Sequence, residues 1–237
     1  MTINDAVIVS AVRTPVGIGK PQKGVLSGVH PVDLSRMVLR EVTTRAGVDP
    51  ALVDDVIWGC VSQVGEQGAN VARQALLQAG FPKEVPGTSI DFQCGSSQHA
   101  VHLAAAVIES GHADIVIAGG IESMSRVPMG ASFVNGPGTP FTPQIMKQYD
   151  IIPQGLSAEE VASIWKVGRQ ELDEIAFRSH TLAARATEAG WFKQEILPLP
   201  SRLEDGTPVS VDRDEGIRYN PSLEKMASLQ PAFKPDG

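Results

Sequence analysis

The stretch Ser89–Ser125, SIDFQCGSSQHAVHLAAAVIESGHADIVIAGGIESMS, contains the pattern that decides the fold. A β-rich run leads into Cys94, a long apolar segment follows, and Gly111 precedes a second β-branched run that ends in two glycines. This order predicts a strand, a helix over residues 96–110 and a second strand over residues 114–118. Cys94 is therefore predicted to lie at the start of a helix.

The position of Cys94 is compatible with two roles, a packed small hydrophobe or a nucleophile. Cys94 is predicted to be a buried thiol, and roughly four to six unpaired N–H groups at the helix start and the positive end of the helix dipole would face its sulfur. Both favour the reactive thiolate. The small residues Gly95, Ser96 and Ser97 leave room for a substrate carbonyl, and the Cys94 N–H is the expected oxyanion donor.

The sequence before this stretch predicts an alternation of strands and helices. Strands are predicted over residues 6–12, 53–61 and 88–93, and helices from Pro31 to Gly47 and over residues 70–79. Such an alternation is typical of an α/β fold with a mainly parallel sheet and helices on its faces. The helix over residues 96–110 has almost no polar face, which predicts that it is sandwiched inside the protein.

The periodic pattern of apolar residues stops at about residue 125. Glycine and proline interrupt residues 127–144, which indicates a loop or a domain edge. A capping box at residues 157–160 predicts a helix through Trp165, and a second helix is predicted over residues 169–189. Beyond these, only residues 207–211 alternate in the manner of a strand.

Composition excludes some partners. The chain has 237 residues, 42% of them hydrophobic, with a formal net charge of −7 and a pI near 5.2. An acidic chain lacks the positive field that nucleic acid or an anionic membrane surface requires, so neither is expected as a partner.

The two cysteines, Cys60 and Cys94, lie in unrelated contexts, which argues against a disulfide scaffold and favours a reducing cytosol. The first 17 residues carry no basic region, and their apolar run is too short to cross a bilayer. We therefore expect a cytoplasmic protein without a secretion signal or a membrane span.

Seven segments carry a more specific signal. In chain order they are VSAVRTPVG (9–17), GEQGANVARQALLQAG (65–80), the Cys94 block, AGGIESMSRVPMG (118–130), ELDEIAFRSH (171–180), DEGIR (214–218) and LQPAFKPDG (229–237). Together they resemble the thiolase family, the acyl-CoA acetyltransferases, over essentially the whole chain.

The resemblance implies a layered αβαβα fold made of two similar halves, with a mostly helical loop domain inserted in the first half. On this template residues 1–122 are most of the N-terminal domain and residues 123–237 are the loop domain. The family chain continues past Gly237, so we expect the last strand of this half and the whole second half to be missing. The family's catalytic histidine, asparagine and second cysteine belong to that missing part.

The resemblance also implies a mechanism. Cys94 would attack the 3-keto carbon of a 3-ketoacyl-CoA, acetyl-CoA would leave, and a second CoA would take the acyl group from sulfur, which is ping-pong covalent catalysis. CoA is then a substrate, and no cofactor and no metal are expected. The isolated 237-residue chain is expected to be inactive, because it lacks the family's acid–base partners.

Arg218, Lys225 and Phe233 fall where family members hold the adenine nucleotide of CoA, and basic side chains suit its phosphates. The alternative is a solvated surface charge for Arg218 and Lys225 and a local core residue for Phe233.

Two departures from the family pattern bear on the substrate. Ser97 replaces the usual glycine of Cys-x-Ser-Gly, and Pro153-Gln154-Gly155 replaces the His-Met-Gly of short-chain members, which makes acetoacetyl-CoA doubtful as the main substrate. GEQGAN and QCGSSQ resemble thiolases that act on long or bulky acyl groups, including steroid side chains. The resemblance further implies a role in lipid β-oxidation and a homodimer or homotetramer.

Other interpretations stay open from the sequence. The block CGSSQHAVHLA also resembles the nucleophile segment of decarboxylating ketoacyl synthases, and a non-catalytic lipid carrier or scaffold is a third possibility. His99 and His102 have the spacing of a metal pair, but two ligands without a third make a poor site, so core or interface histidines are favoured.

Overall fold

The computed structural model describes residues 5–20, 23–134, 136–202 and 205–237. The helices in these ranges are α1 (Pro31–Ala46), α2 (Val71–Ala79), α3 (Ser96–Glu109), α4 (Pro143–Gln148), α5 (Gln154–Trp165), α6 (Arg169–Glu188) and α7 (Leu223–Ala227), with short 3-10 helices at Pro50–Leu52 and Gly65–Gln67. The strands are β1 (Asp55–Gly59), β2 (Gly87–Ile90), β3 (Val116–Gly120), β4 (Leu199–Arg202) and β5 (Pro208–Val211).

The chain forms two compact units. The first unit contains Met1–Gly136 and Lys193–Gly216, and the second contains Pro137–Phe192 and Ile217–Gly237. The segment 193–216 joins the first unit because its antiparallel hairpin, β4 and β5, packs with Leu26 and Leu34 in one apolar cluster. These units divide the chain differently from residues 1–122 and 123–237, whose assignment to an N-terminal and a loop domain stays a prediction.

The first unit is built on a parallel sheet of order β2-β1-β3. Successive side chains of a strand point to opposite faces, and β1 shows this directly. Val56 and Trp58 pack in a cluster with residues of α1 and α2, whereas Ile57 packs with Ala100 and Ala104 of α3. Helices therefore cover both faces of this sheet, which confirms the α/β class and the parallel sheet.

The ends of α1 and α2 follow from local chemistry. Gly47 and Gly80 end these helices in the left-handed region, at φ 65° and 89°, where a residue with a Cβ atom is strained. Asn70 begins α2 by accepting a hydrogen bond from the Arg73 N–H at 3.1 Å. The helices predicted between residues 31 and 47 and over residues 70–79 are confirmed.

The strand predicted over residues 6–12 is wrong. These residues form no strand; the neighbouring Arg13 alone makes an isolated bridge, with Ile196. Strand formation requires hydrogen bonding to a neighbouring strand, and residues 6–12 instead line an apolar groove of about 600 Å³ that β3 also lines. Val7 and Ile8 are 73% and 81% exposed.

The capping box predicted at residues 157–160 is also wrong. α5 already begins at Gln154, so Ser157 lies inside the helix. The Ser157 N–H donates to the Pro153 carbonyl at 3.1 Å, a helical bond that a residue at the N-cap would not make. Pro153 occupies the cap position instead.

α3 is covered on one side only, contrary to the prediction of a sandwiched helix. Its buried residues are Ser96, Ala100 and Ala104, which are small and lie toward the sheet, whereas Val101 is 42% exposed. Part of the apolar surface of α3 is therefore left exposed by this chain. In the described ranges, no helix is both long and apolar enough to cross a bilayer.

Arg13 ties the N-terminal segment to the segment that returns from the second unit. Its Nε donates to Glu195 at 2.8 Å, and its two terminal nitrogens donate to the Asp214 carboxylate at 2.7 and 3.1 Å. The Val16 N–H adds a bond to Asp214 at 2.8 Å. These hydrogen bonds join two of the motif segments, VSAVRTPVG and DEGIR, and so give both a structural role.

The pair formed by Arg13 and Asp214 should make the stability of the fold sensitive to acid. Burial raises the pKa of Asp214, but the hydrogen bonds from Arg13 and the Val16 N–H outweigh it and hold the pKa below its usual value. A lowered pKa in the folded state contributes stability above the usual value of about 3.9, and this contribution is lost as pH falls through the lowered pKa. We expect the melting temperature to fall steeply below about pH 4.

Thermal unfolding followed by circular dichroism across this pH range measures the effect. Asp214→Asn should melt at a lower temperature at neutral pH and should show a shallower decline in acid. Asp150→Asn, at an exposed aspartate, is the matched control. A parallel decline in the wild type and in Asp214→Asn would contradict the assignment.

Candidate active site

The three parallel strands end at one edge of the sheet, and the segments that follow them carry both cysteines, a serine and a carboxylate. The segment after β2 carries Cys94, the segment after β1 carries Cys60 and Ser62, and the segment after β3 carries Glu122. The carboxyl edge of an open parallel sheet is the usual place for a ligand site.

Cys94 lies on a strained turn between β2 and α3. The residue before it, Gln93, has φ 49°, a left-handed conformation that is costly for a side chain with a Cβ atom. The Asp91 carboxylate stabilises this conformation by accepting the Gln93 N–H at 2.8 Å. Backbone strain of this kind is concentrated at functional sites.

Ser96 completes the turn. Its hydroxyl donates to the Gln93 carbonyl at 2.6 Å and accepts the Phe92 N–H at 2.9 Å. The N–H groups of Gly95 and Ser96 donate to the Phe92 and Gln93 carbonyls at 3.1 and 3.0 Å. Two of the N–H groups that were expected to face the sulfur are thus used inside the turn, whereas the Cys94 N–H stays the predicted oxyanion donor.

The thiol of Cys94 is exposed, and the prediction of a buried thiol is wrong. Cys94 lies two residues before Ser96, the first residue of α3. Exposure gives a substrate direct access to the sulfur. The favoured thiolate and the nucleophilic role stay predictions.

Two glycines allow the start of α3 to approach the sheet. A Cβ atom on Gly59 would lie 2.5 Å from the Ser97 nitrogen and 2.6 Å from the Ser96 carbonyl carbon. A Cβ atom on Gly120 would collide with the Ser97 hydroxyl. The hydroxyl of Ser97, the residue that departs from the family pattern, is therefore directed toward the sheet at Gly120.

A hydrogen-bond network joins the segments after β1 and β3. The Glu122 carboxylate accepts the Val61 N–H at 2.8 Å and the Gln67 side-chain amide at 2.9 Å. Gln67 is fully buried and also binds the Ser62 carbonyl and the Ser123 N–H, at 3.0 and 2.7 Å. Sequence reasoning assigned no role to these residues, although both lie in motif segments, GEQGAN and AGGIES.

A second contact joins the same motif segments. Arg126 binds the Glu66 carboxylate with two nitrogens, at 2.5 and 2.7 Å, and donates to the Ser27 carbonyl at 2.8 Å. The hydrogen bond from Arg126 holds the pKa of Glu66 below its usual value. A planar two-pronged pair of this kind fixes direction as well as distance.

The second cysteine, Cys60, is buried, whereas Cys94 is exposed. Cys60 is 1% exposed, and burial, with smaller contributions from Glu122 and Asp91, raises its pKa to about 12. At neutral pH it is a thiol. Its role is packing, in the cluster that also contains Trp58 and Leu76.

The contrast between the cysteines predicts selective labelling. In the native chain we expect iodoacetamide to modify Cys94 and to leave Cys60 intact, because the raised pKa of Cys60 alone lowers its thiolate fraction roughly a thousandfold. Peptide mass spectrometry before and after unfolding in urea measures this. Equal labelling of both residues in the native chain would contradict the expected difference.

His99 and His102 do not form a metal pair in the structure. The His99 ring stacks on Phe92, and His102 is exposed. The described part of the chain contains no group of three or more His, Cys, Asp or Glu side chains arranged to hold a metal ion.

The three predicted CoA contacts lie in the second unit, whereas Cys94 lies in the first. Arg218, Lys225 and Phe233 are all exposed. The Arg218 N–H donates to His180 Nδ1 at 3.3 Å, and Lys225 lies in α7. The Phe233 ring packs directly on Gly155, where a Cβ atom would collide with it. Their contact with CoA stays a prediction.

The thiolase N-terminal domain model matches residues 6–237. The chain belongs to the thiolase family. It is 42% identical to the steroid 3-ketoacyl-CoA thiolase FadA6 of Mycobacterium tuberculosis, over 97% of this chain and 56% of that relative. It is 40% identical to a 3-ketoacyl-CoA thiolase of Pseudoalteromonas translucida, over 98% of this chain and 59% of that relative.

A solved thiolase-family structure supports the same fold. The crystal structure of the Bacillus anthracis acetyl-CoA acetyltransferase is similar with a TM-score of 0.83 and 36% sequence identity, over 99% of this chain and 60% of that chain. The predicted thiolase-like fold is confirmed. The chain spans between 56% and 60% of the length of these relatives.

Proposed function

We propose that the protein is an acyl-CoA acetyltransferase that cleaves a 3-ketoacyl-CoA into acetyl-CoA and a shortened acyl-CoA, through a thioester on Cys94. The observation that carries the proposal is an exposed cysteine on a strained turn before a helix, at the carboxyl edge of the sheet of a thiolase-family chain. The names of the relatives, 3-ketoacyl-CoA thiolase and acetyl-CoA acetyltransferase, support it.

In the proposed reaction the Cys94 sulfur bonds to the 3-keto carbon, and the bond between C2 and C3 breaks. The released acetyl-CoA enolate takes up a proton, and the acyl group stays on sulfur until the thiol of a second CoA removes it. The Cys94 N–H donates to the oxyanion, a contribution of roughly 3 to 4 kcal/mol for one such donor. The proton transfers need residues that we do not assign to any histidine of this chain.

CoA enters this scheme as a substrate and not as a resident cofactor. We place its adenine nucleotide at Arg218, Lys225 and Phe233, because the two basic side chains are exposed and suited to phosphate. An exposed aromatic ring that packs on Gly155 offers a flat surface to a base.

The proposed substrate carries a long or bulky acyl group, such as a steroid side chain, and belongs to lipid β-oxidation. The relative that is 42% identical is named a steroid 3-ketoacyl-CoA thiolase. Pro153-Gln154-Gly155 stands where short-chain members have His-Met-Gly, which argues in the same direction.

We also propose a homodimer or homotetramer in a reducing cytosol. β2 is an edge strand of the three-stranded sheet, and α3 exposes apolar surface at Val101, which a second subunit would cover. Both cysteines are free, which fits a reducing compartment.

Turnover by the full-length protein tests the proposal. We expect CoA-dependent loss of a long-chain or steroid 3-ketoacyl-CoA at least about tenfold faster, as kcat/KM, than loss of acetoacetyl-CoA. Quenching before CoA is added should leave the acyl group on the peptide that contains Cys94. The 237-residue chain by itself should show no turnover.

Two other results would replace the proposal. Decarboxylation of a malonyl thioester without thiolysis would indicate a ketoacyl synthase. Binding of acyl-CoA without any acylated cysteine would indicate a carrier.

A further inference from the structure

Phe92 and His99 are joined across the nucleophile turn. One lies two residues before Cys94 and the other five residues after it, and their rings stack with centroids 4.5 Å apart at an angle of 19°. Phe92 is 62% exposed, so burial in the core does not hold its ring. The ring of His99 is the neighbour that covers one of its faces.

The surrounding backbone is shaped to hold this stack. A Cβ atom on Gly95 would lie 3.3 Å from the Phe92 ring, so the glycine leaves the space in which the ring sits. The His99 N–H donates to the Gly95 carbonyl at 2.8 Å, which fixes the base of the histidine in the first turn of α3. Phe92 thus contacts the helix that begins after the nucleophile.

The stack spans a segment that would otherwise tend to relax. Gln93 is held in the left-handed region, and the hydrogen bonds that support it are confined to residues 91–96. The contact between Phe92 and His99 reaches from the strand side of the turn to the fourth residue of the helix. Relaxation of Gln93 would move the sulfur away from the first turn of α3, where the positive end of the helix dipole attracts negative charge.

We infer that Phe92 and His99 are positioning residues, a stacked pair that keeps Cys94 at the start of α3 in its reactive arrangement. The inference rests on the proposed function, in which Cys94 is the nucleophile. Neither side chain takes part in bond making. Because the thiol is already exposed, loosening the turn gives no gain in access, and its effect on reactivity is a decrease.

Alkylation of the native 237-residue chain with iodoacetamide tests the inference without CoA. Phe92→Ala and His99→Ala should slow the modification of Cys94 about two- to tenfold, the range that corresponds to the loss of one aromatic pair. His99→Phe keeps a stacked ring and should restore the rate to within about twofold of the wild type. His102→Ala, at an exposed histidine one turn further along the same helix, should leave the rate unchanged.

A purely structural role would lower the melting temperature and leave the alkylation rate at 25 °C unchanged, so both are measured. The inference is overturned if His99→Ala reacts at the wild-type rate or if His99→Phe is as slow as His99→Ala. If Phe92→Ala does not fold, the two His99 variants decide alone.

The outcome is separable from that of the proposed function. Suppose that alkylation is slower in the variants and that no 3-ketoacyl-CoA acylates the wild-type full-length protein. This result would support the positioning role of the stack and reject the proposed thiolase activity. Acylation of Cys94 in the wild type, with unchanged alkylation rates in the variants, would support the thiolase activity and reject the positioning role.

Discussion

Cys94→Ala should reduce thiolysis by the full-length protein by roughly four orders of magnitude or more, the scale of loss when a covalent nucleophile is removed. The proposed thioester forms on this sulfur, and Cys60, the second cysteine, is a buried thiol at the opposite end of the reactivity scale. Spectrophotometric loss of the 3-ketoacyl-CoA measures the rate. Mass spectrometry of the quenched enzyme should show no acyl adduct on the variant.

Cys60→Ala is the matched control, since it removes the other sulfur of the chain and leaves the nucleophile turn intact. It should lower stability through lost packing and keep kcat within about threefold of the wild type. Residual turnover by Cys94→Ala comparable to that of Cys60→Ala would exclude covalent catalysis at residue 94.

Gly59→Ala should destabilise the first unit by about 3 kcal/mol, at the upper end of overpacking effects. The added methyl group would lie 2.5 to 2.6 Å from backbone atoms of Ser96 and Ser97, and backbone cannot swing aside as a flexible side chain can. For a chain of this length the melting temperature should fall by roughly 6 to 12 °C. Because Ser96 anchors the nucleophile turn, alkylation of Cys94 should slow as well.

Gly28→Ala provides the comparison. A Cβ atom at Gly28 meets nothing within 4 Å, so this variant should melt within about 2 °C of the wild type. Equal melting temperatures for the two variants would show that α3 can retreat from β1 at little cost.

Short-range chemistry explains what could be predicted from the sequence. α1 and α2 have glycines at their ends and apolar residues at helical spacing, and all of this information lies within one segment. The same holds for the start of α3 after Cys94. The family assignment depended on motifs, and the contacts of Arg13 with Asp214 and of Arg126 with Glu66 now give two of these motif pairs a structural role.

The wrong predictions depended on neighbours that a local pattern does not specify. Residues 6–12 have the composition of a strand, but composition supplies no hydrogen-bonding partner. The expected burial of Cys94 and of the outer face of α3 likewise required surfaces beyond the turn and the sheet. The network of Gln67 and Glu122 joins residues 55 positions apart, a distance over which spacing rules carry no signal.

The hydrogen bond from Arg13 to Asp214 spans 201 positions of the chain. This separation determines when the bond can form during synthesis of the chain. Translation at about 5 to 20 residues per second delivers the whole of Pro137–Phe192 before the acidic partners of Arg13 emerge. The hydrogen bonds from Arg13 to Glu195 and Asp214 therefore form late in synthesis, after all three strands of the parallel sheet have been made.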